Sequence, residues 1–204
     1  MLMGTSVGSV TRLSCFLALL LALPGPLGAQ AGPDPSSQDR VSPTVSILLK
    51  GGRIAGENRI HLGAWAGLLF ADHLAVGGGG FALMNDVALA GAEGGTGFIL
   101  NMGYGGLIFR HWEPLAGDVT GEVGLLLGAG HAEVRDRLTR TELGADNFLL
   151  AEPEISVLYT FFPGVHLGAS IGYRLTSRVE DLPRVSSADL NSFTGTLSLR
   201  WGGG

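Results

Sequence analysis

Three stretches in the last third of the chain, 148–161, 165–177 and 191–202, change side-chain character at every step. In the first, Leu149, Ala151, Pro153, Ile155, Val157, Tyr159 and Phe161 take one set of alternate positions, and Leu150, Glu152, Glu154, Ser156, Leu158 and Thr160 take the other. The second sets Val165, Leu167, Ala169, Ile171, Tyr173 and Leu175 against His166, Gly168, Ser170, Gly172, Arg174 and Thr176. The third sets Phe193, Gly195, Leu197, Leu199 and Trp201 against Ser192, Thr194, Thr196, Ser198 and Arg200. Neighbouring side chains of a strand point to opposite faces, so each stretch has one apolar face and one mostly polar face. Strands of about ten or more residues, with no helical segments to cover their apolar faces, find that cover in lipid. The pattern predicts an all-β chain: an eight-stranded antiparallel up-and-down transmembrane β-barrel.

The beginning of the chain fits that destination. Arg12, the apolar run from Cys15 to Leu23, the breaker Pro24-Gly25-Pro26 and the small-residue site Leu27-Gly28-Ala29 read as a signal peptide over 1–29. The apolar run is too short for a membrane-spanning helix. Residues 30–43, rich in Pro, Ser and Asp, read as a flexible periplasmic lead-in, which leaves 44–202 for the barrel. Cleavage removes the single cysteine, so no disulfide is expected. It also removes Arg12, making the mature chain one unit more negative than the −5 of the whole. A chain of that charge without a basic stripe is not expected to bind nucleic acid. The 34 glycines sit within the alternating runs, which points to close packing inside a narrow wall.

Eight strands are expected at 44–53, 59–70, 73–85, 96–110, 118–134, 148–161, 165–177 and 191–202. Tight links at 71–73, 113–117 and 162–164 alternate with outer links at 55–58, 86–95, 135–147 and 178–190, as in outer-membrane barrels. Both termini are then periplasmic. Phe70, Phe109 with Trp112, Phe161 with Phe162, and Trp201 fall at the inner ends of alternate strands, where an aromatic girdle is expected. In 60–70 and 74–85 both faces are apolar or glycine, so the inward phase of the early strands is open.

The mature chain resembles the small eight-stranded outer-membrane barrels of the OmpA/OmpX type, within them a glycine-rich group. The residues that carry the resemblance are Gly77-Gly78-Gly79-Gly80-Phe81, Asn101-Met102-Gly103-Tyr104-Gly105-Gly106-Leu107, Ala151-Glu152-Pro153-Glu154 and Gly172-Tyr173-Arg174. The resemblance implies a bacterial outer-membrane location, contact with outer-membrane lipid and lipopolysaccharide, and insertion by machinery that reads an aromatic near the end, here Trp201. It implies no activity.

The polar face carries Lys50, Glu122, Glu152, Glu154, Arg174 and Arg200, read as an interior polar network of three acids and three bases. Centring the 162–164 hairpin on Pro163 places Thr160 opposite His166, Ser156 opposite Ser170 and Glu152 opposite Arg174. Glu152 and Glu154 share a face about 7 Å apart, a spacing open to acid-base or metal chemistry, but interior bases make ion pairing the better reading. The histidines His61, His73, His111, His131 and His166 show no metal-ligand spacing and read as turn or interfacial residues. Gly77 to Gly80 lacks the following Lys-Ser/Thr of a phosphate loop. No catalytic group and no cofactor is therefore expected. The chain reads as a monomer with a structural or surface-interaction role and a side-chain-filled interior. A narrow pore or ligand conduit is the alternative, and a membrane-edge lipid-modifying enzyme a lesser one. The charged outer links, with Arg135, Asp136, Arg137, Arg140, Glu142 and Asp146 in one and Arg178, Glu180, Asp181, Arg184 and Asp189 in another, are where surface contact would fall.

Overall fold

The computed structural model describes residues 41–202 except 72, 85, 86, 90–96 and 184. The expected signal peptide and most of the lead-in lie outside the described residues. Among the described residues nine strands form one sheet: β1 (Val41–Ile54), β2 (Glu57–Phe70), β3 (Leu74–Leu83), β4 (Val87–Leu89), β5 (Phe98–Ala116), β6 (Val119–Asp136), β7 (Glu142–Phe162), β8 (Val165–Ser177) and β9 (Ser192–Trp201). Sequential neighbours pair antiparallel, β1 pairs with β9, and β3 pairs with β5. The ring therefore closes on eight strands. β4 is a three-residue addition that extends the wall on β5 beyond the end of β3.

Turn chemistry sets the registers. Ala55 and Gly56 both have positive φ, 48° and 84°, the backbone of a two-residue hairpin turn. Gly117 and Gly164 supply positive φ at the links β5–β6 and β7–β8, and ladder irregularities sit just before each, at Pro114/Ala116 and Thr160/Phe162. β1 begins at Val41, ahead of the expected 44, because it pairs with β2 from there while its pairing with β9 starts only at Val45. Pro43 thus needs no N–H on that open side. β7 begins at Glu142, not 148, and the expected loop 135–147 shrinks to a turn closed by Asp136 Oδ1, which accepts from Leu138 N at 2.9 Å and Thr139 N at 2.8 Å. Across the β7–β8 hairpin the ladder pairs Thr160 with His166 and Ser156 with Ser170, and it skips Glu152 and Pro153, where proline offers no donor.

The open phase of β2 and β3 resolves to odd residues inward. His61, Trp65, Leu69, Ala75 and Phe81 are buried, while Leu62, Leu68 and Leu74 are exposed. Around the wall Ile47, Leu107, Leu127, Ile155, Val157, Ile171 and Leu197 are exposed on the lipid-facing side. Trp65, Lys50, Arg174 and Glu152 are among the largest fully buried side chains. On β6 the outward positions are apolar or small up to Ala129 and then turn polar at His131, Glu133 and Arg135, while Ala132 and Val134 turn inward and are buried. Val119 to Ala129 on a strand tilted about 40° spans about 25 Å, a bilayer's apolar thickness. Beyond that level, on the side away from the termini, the wall continues with an ordinary water-type core: Val87, Leu100, Met102, Val134, Phe148, Leu182, Val185 and Leu190.

Glycine makes the interior possible where aromatic rings fill it. A Cβ at Gly130 would meet the Phe148 ring at 2.2 Å, and one at Gly63 would meet the Phe81 ring at 2.4 Å. Gly195, on the lipid side, would meet only Ser170 O at 3.9 Å. Gly130→Ala should therefore destabilise the refolded barrel by about 1–3 kcal/mol, whereas Gly195→Ala should leave the urea midpoint of detergent-refolded protein unchanged. Equal midpoints for the two variants would refute this account of the glycines.

Candidate functional site: the barrel interior

Inward positions of six strands bring seven charged side chains together. Lys50 comes from β1, Arg110 from β5, Glu122 from β6, Glu152 and Glu154 from β7, Arg174 from β8 and Arg200 from β9, and all are buried. Arg200 Nη1 donates to Glu122 at 2.6 Å, and Arg110 Nη1 donates to the other oxygen of the same carboxylate. Arg110 Nη2 lies 3.2 Å from Glu154, and Lys50 Nζ lies 3.8 Å from Glu154 and 2.9 Å from Glu152. Thr194 Oγ1 donates to Glu152 at 2.7 Å, and Tyr104 OH approaches it at 3.4 Å. The charges thus alternate as Arg200, Glu122, Arg110, Glu154, Lys50, Glu152 along the lumen. Alternation of this kind is what makes desolvated charges tolerable, since each is flanked by opposite sign.

Aromatic rings pack between the cations. The guanidinium carbons of Arg110 and Arg200 each lie 5.3 Å from the Trp65 ring centroid, Arg200 lies 5.0 Å from that of Trp112, and Lys50 Nζ lies 3.8 Å from that of Phe81. These are cation–π distances. The void bounded by Lys50, Phe81, Arg110, Glu152 and Glu154 measures about 10 Å³, room for about one water.

All six charged residues expected inside are buried there. One pairing and two placements differ from the sequence reading. Glu152 and Arg174 do not form an ion pair. Lys50 and Thr194 occupy Glu152, while Arg174 donates to Leu190 O at 2.8 Å, Arg53 O at 3.2 Å and Ser192 Oγ at 3.3 Å. Nor does Trp112 belong to the girdle: it shares the inward phase of Ile108 and Arg110 and covers Arg200. Phe70, Phe109, Phe161 and Phe162 do point outward and are exposed, and Trp201 is half-buried. Arg110 is not among the interior charges expected from sequence, because the expected strand ends at it, although Met102, Tyr104 and Ile108 alternate into it on the buried face. His61 is fully buried, not interfacial. Neither Glu152 nor Glu154 is free for metal or acid-base work, and among the described residues no three metal-type ligands gather.

The far end of the lumen is capped. The link after β8 folds over it with a helical turn, Ser187–Leu190, and buries Leu182, Val185 and Leu190. Ala55 N donates to Asp189 O at 2.9 Å, and Thr176 Oγ1 donates to Ser187 O at 2.9 Å. Asp146 Oδ2 accepts from Glu180 N at 2.7 Å and Asp181 N at 3.0 Å.

No protein-family model matches the chain, and no curated protein matches it in sequence. Solved structures do match in shape. Neisserial surface protein A superimposes with a TM-score of 0.53 at 17% identity, over 82% of this chain and 96% of that one. The outer membrane protein OprG from Pseudomonas aeruginosa superimposes with a TM-score of 0.53 at 10% identity, over 81% of this chain and 96% of that one. The fold is that of the small outer-membrane β-barrels. At these identities the likeness is one of fold, and small outer-membrane barrels of this architecture have lumens that side chains can fill.

Two expectations follow for the interior and its cap. Glu122→Gln and Arg200→Met should each destabilise by about 3–5 kcal/mol, and the double variant by less than their sum, because a lone buried charge costs more than a lost pair. The coupling energy between Glu152 and Arg174 should be smaller; chemical unfolding of the two variant cycles in detergent compares them. The amide donors of Asp181 and Glu180 hold the Asp146 carboxyl below the usual carboxylate range. The tie it makes is therefore complete above about pH 4 and is lost as the pH falls through the lower folded value. At neutral pH, Asp146→Asn should speed hydrogen exchange at Glu180 and Asp181 while leaving the intramembrane strands unchanged.

Proposed function

We propose that the chain is a monomeric outer-membrane β-barrel, closed to solutes, that acts as a structural or surface-interaction element and has no enzymatic activity. The observation that carries this reading is the occluded lumen: an unbroken chain of buried ion pairs fills the intramembrane half, and an apolar cap covers the far end. What such a protein offers to its surroundings lies on its outer face and its links. With both termini in the periplasm, the extended β6–β7 hairpin and the cap stand outside the cell, among lipopolysaccharide headgroups. Arg135, Arg137 and Arg140 near the hairpin tip would there meet phosphates, with barrel-insertion machinery as the assembly partner. Neisserial surface protein A and the outer membrane protein OprG, which share the fold, support an outer-membrane location.

The rival reading is a narrow pore, and conductance separates the two. Refolded protein should migrate differently on gels before and after boiling, and the same material in planar bilayers should show no steady unit conductance. A regular conductance step from heat-modifiable protein would overturn the closed reading and favour the pore; protein that stayed soluble in water with no mobility shift would overturn the membrane reading itself.

A further inference from the structure

The buried charges do not balance. Among the described residues the lumen buries four cations, Lys50, Arg110, Arg174 and Arg200, against three carboxylates, Glu122, Glu152 and Glu154. Lys50, Arg110 and Arg200 each lie within ion-pair distance of a carboxylate. Arg174 is the exception. It is 0% exposed, its contacts are carbonyl and hydroxyl oxygens, and its Nη1 has no partner. Carbonyl dipoles soften the cost of such a charge but do not cancel it, and an uncompensated charge in a dry interior is strongly destabilising.

A second observation falls at the same place. His61 is 0% exposed, and neither of its ring nitrogens has a hydrogen-bond partner. Whichever tautomer it holds, one of these nitrogens is an N–H donor. His61 and Arg174 are neighbours through one ring: His61 lies edge-on to Tyr104 with centroids 5.7 Å apart, and the guanidinium carbon of Arg174 lies 5.5 Å from the same centroid. Glu152 is engaged by Lys50 and Thr194, and its carboxylate is outside ion-pair distance of Arg174. Two buried groups with unused donors, beside an unbalanced positive charge, describe a receptor for something small and negative.

We propose that the barrel binds one small inorganic anion, of the chloride class, between Arg174 Nη1 and a ring nitrogen of His61, against Tyr104. The anion brings the interior to neutrality and satisfies both donors. The close filling of the lumen by side chains restricts the occupant to a monatomic ion. A water molecule would satisfy donors but leave the charge.

The test uses the full mature barrel refolded in chloride-free buffer. Urea unfolding is followed in sodium chloride and in sodium gluconate of equal ionic strength, gluconate being too large for the lumen. The unfolding midpoint should rise with the logarithm of chloride concentration and stay flat in gluconate, and the chloride dependence should be lost in Arg174→Met and weakened in His61→Phe. Equal midpoints in the two salts, or a chloride dependence that survives Arg174→Met, would overturn the proposal. If Arg174→Met does not refold, crystals of the unaltered protein grown in sodium bromide decide the matter. Anomalous density touching Arg174 Nη1 and a His61 nitrogen supports the site, whereas density there without anomalous signal identifies a water and overturns it.

Discussion

An eight-stranded wall encloses a space only as wide as the side chains that fill it, so whatever is polar inside must be answered by something else inside. Glu122 is where that constraint is met most fully. Arg110 and Arg200 divide its two oxygens, and the same two guanidinium groups pack at the Trp65 ring. From that point the network extends through Glu154 to Lys50 and Glu152, which ties β1, β5, β6, β7 and β9 together across the lumen. Lipid supplies no hydrophobic drive between strands, since exposed and buried apolar surface are alike to it. Uniqueness of the closed ring then rests on its ladders and on these directed polar contacts.

Glycine and aromatic residues divide the remaining interior between them. Phe81 lies over the place where Gly63 lacks a side chain, and Phe148 does the same over Gly130. Each pair exchanges one strand's side-chain volume for its neighbour's ring. Lys50 then rests its ammonium on Phe81, so a glycine on β2 indirectly seats a cation that comes from β1. Packing and electrostatics are in this sense one arrangement, and the glycine content is part of the charge network's support.

Much of this was legible in the sequence where alternation was strict. In β7, β8 and β9 each residue's face was readable because a lipid-facing Ile155 or Leu197 differs in kind from an inward Glu154 or Thr196. In β2 and β3 the same contrast is missing, because Trp65 and Phe81 fill the interior with apolar rings and glycines face both ways; only the closed sheet fixes their phase. The partner of Glu152 was not legible either. Centring the hairpin on Pro163 puts Arg174 across from it, but the ladder skips Glu152, and the choice of Lys50 depends on the curvature that brings β1 over β7, which no local pattern encodes. β7 reads short because 142–147, with Gly144, Asp146 and Asn147, has turn-type residues and no clear apolar alternation, and so resembles a loop.

That reversal on β6, between Ala129 and His131, has a consequence for how the molecule is stabilised. One strand follows two opposite solvation rules, lipid outside and polar inside below, water outside and apolar inside above. The upper core of Val134, Phe148, Leu182 and Leu190 gains from burial because water, not lipid, surrounds that level of the wall. The membrane-embedded ring and the cap therefore have separate driving forces, an apolar belt matched to lipid for one and burial away from water for the other.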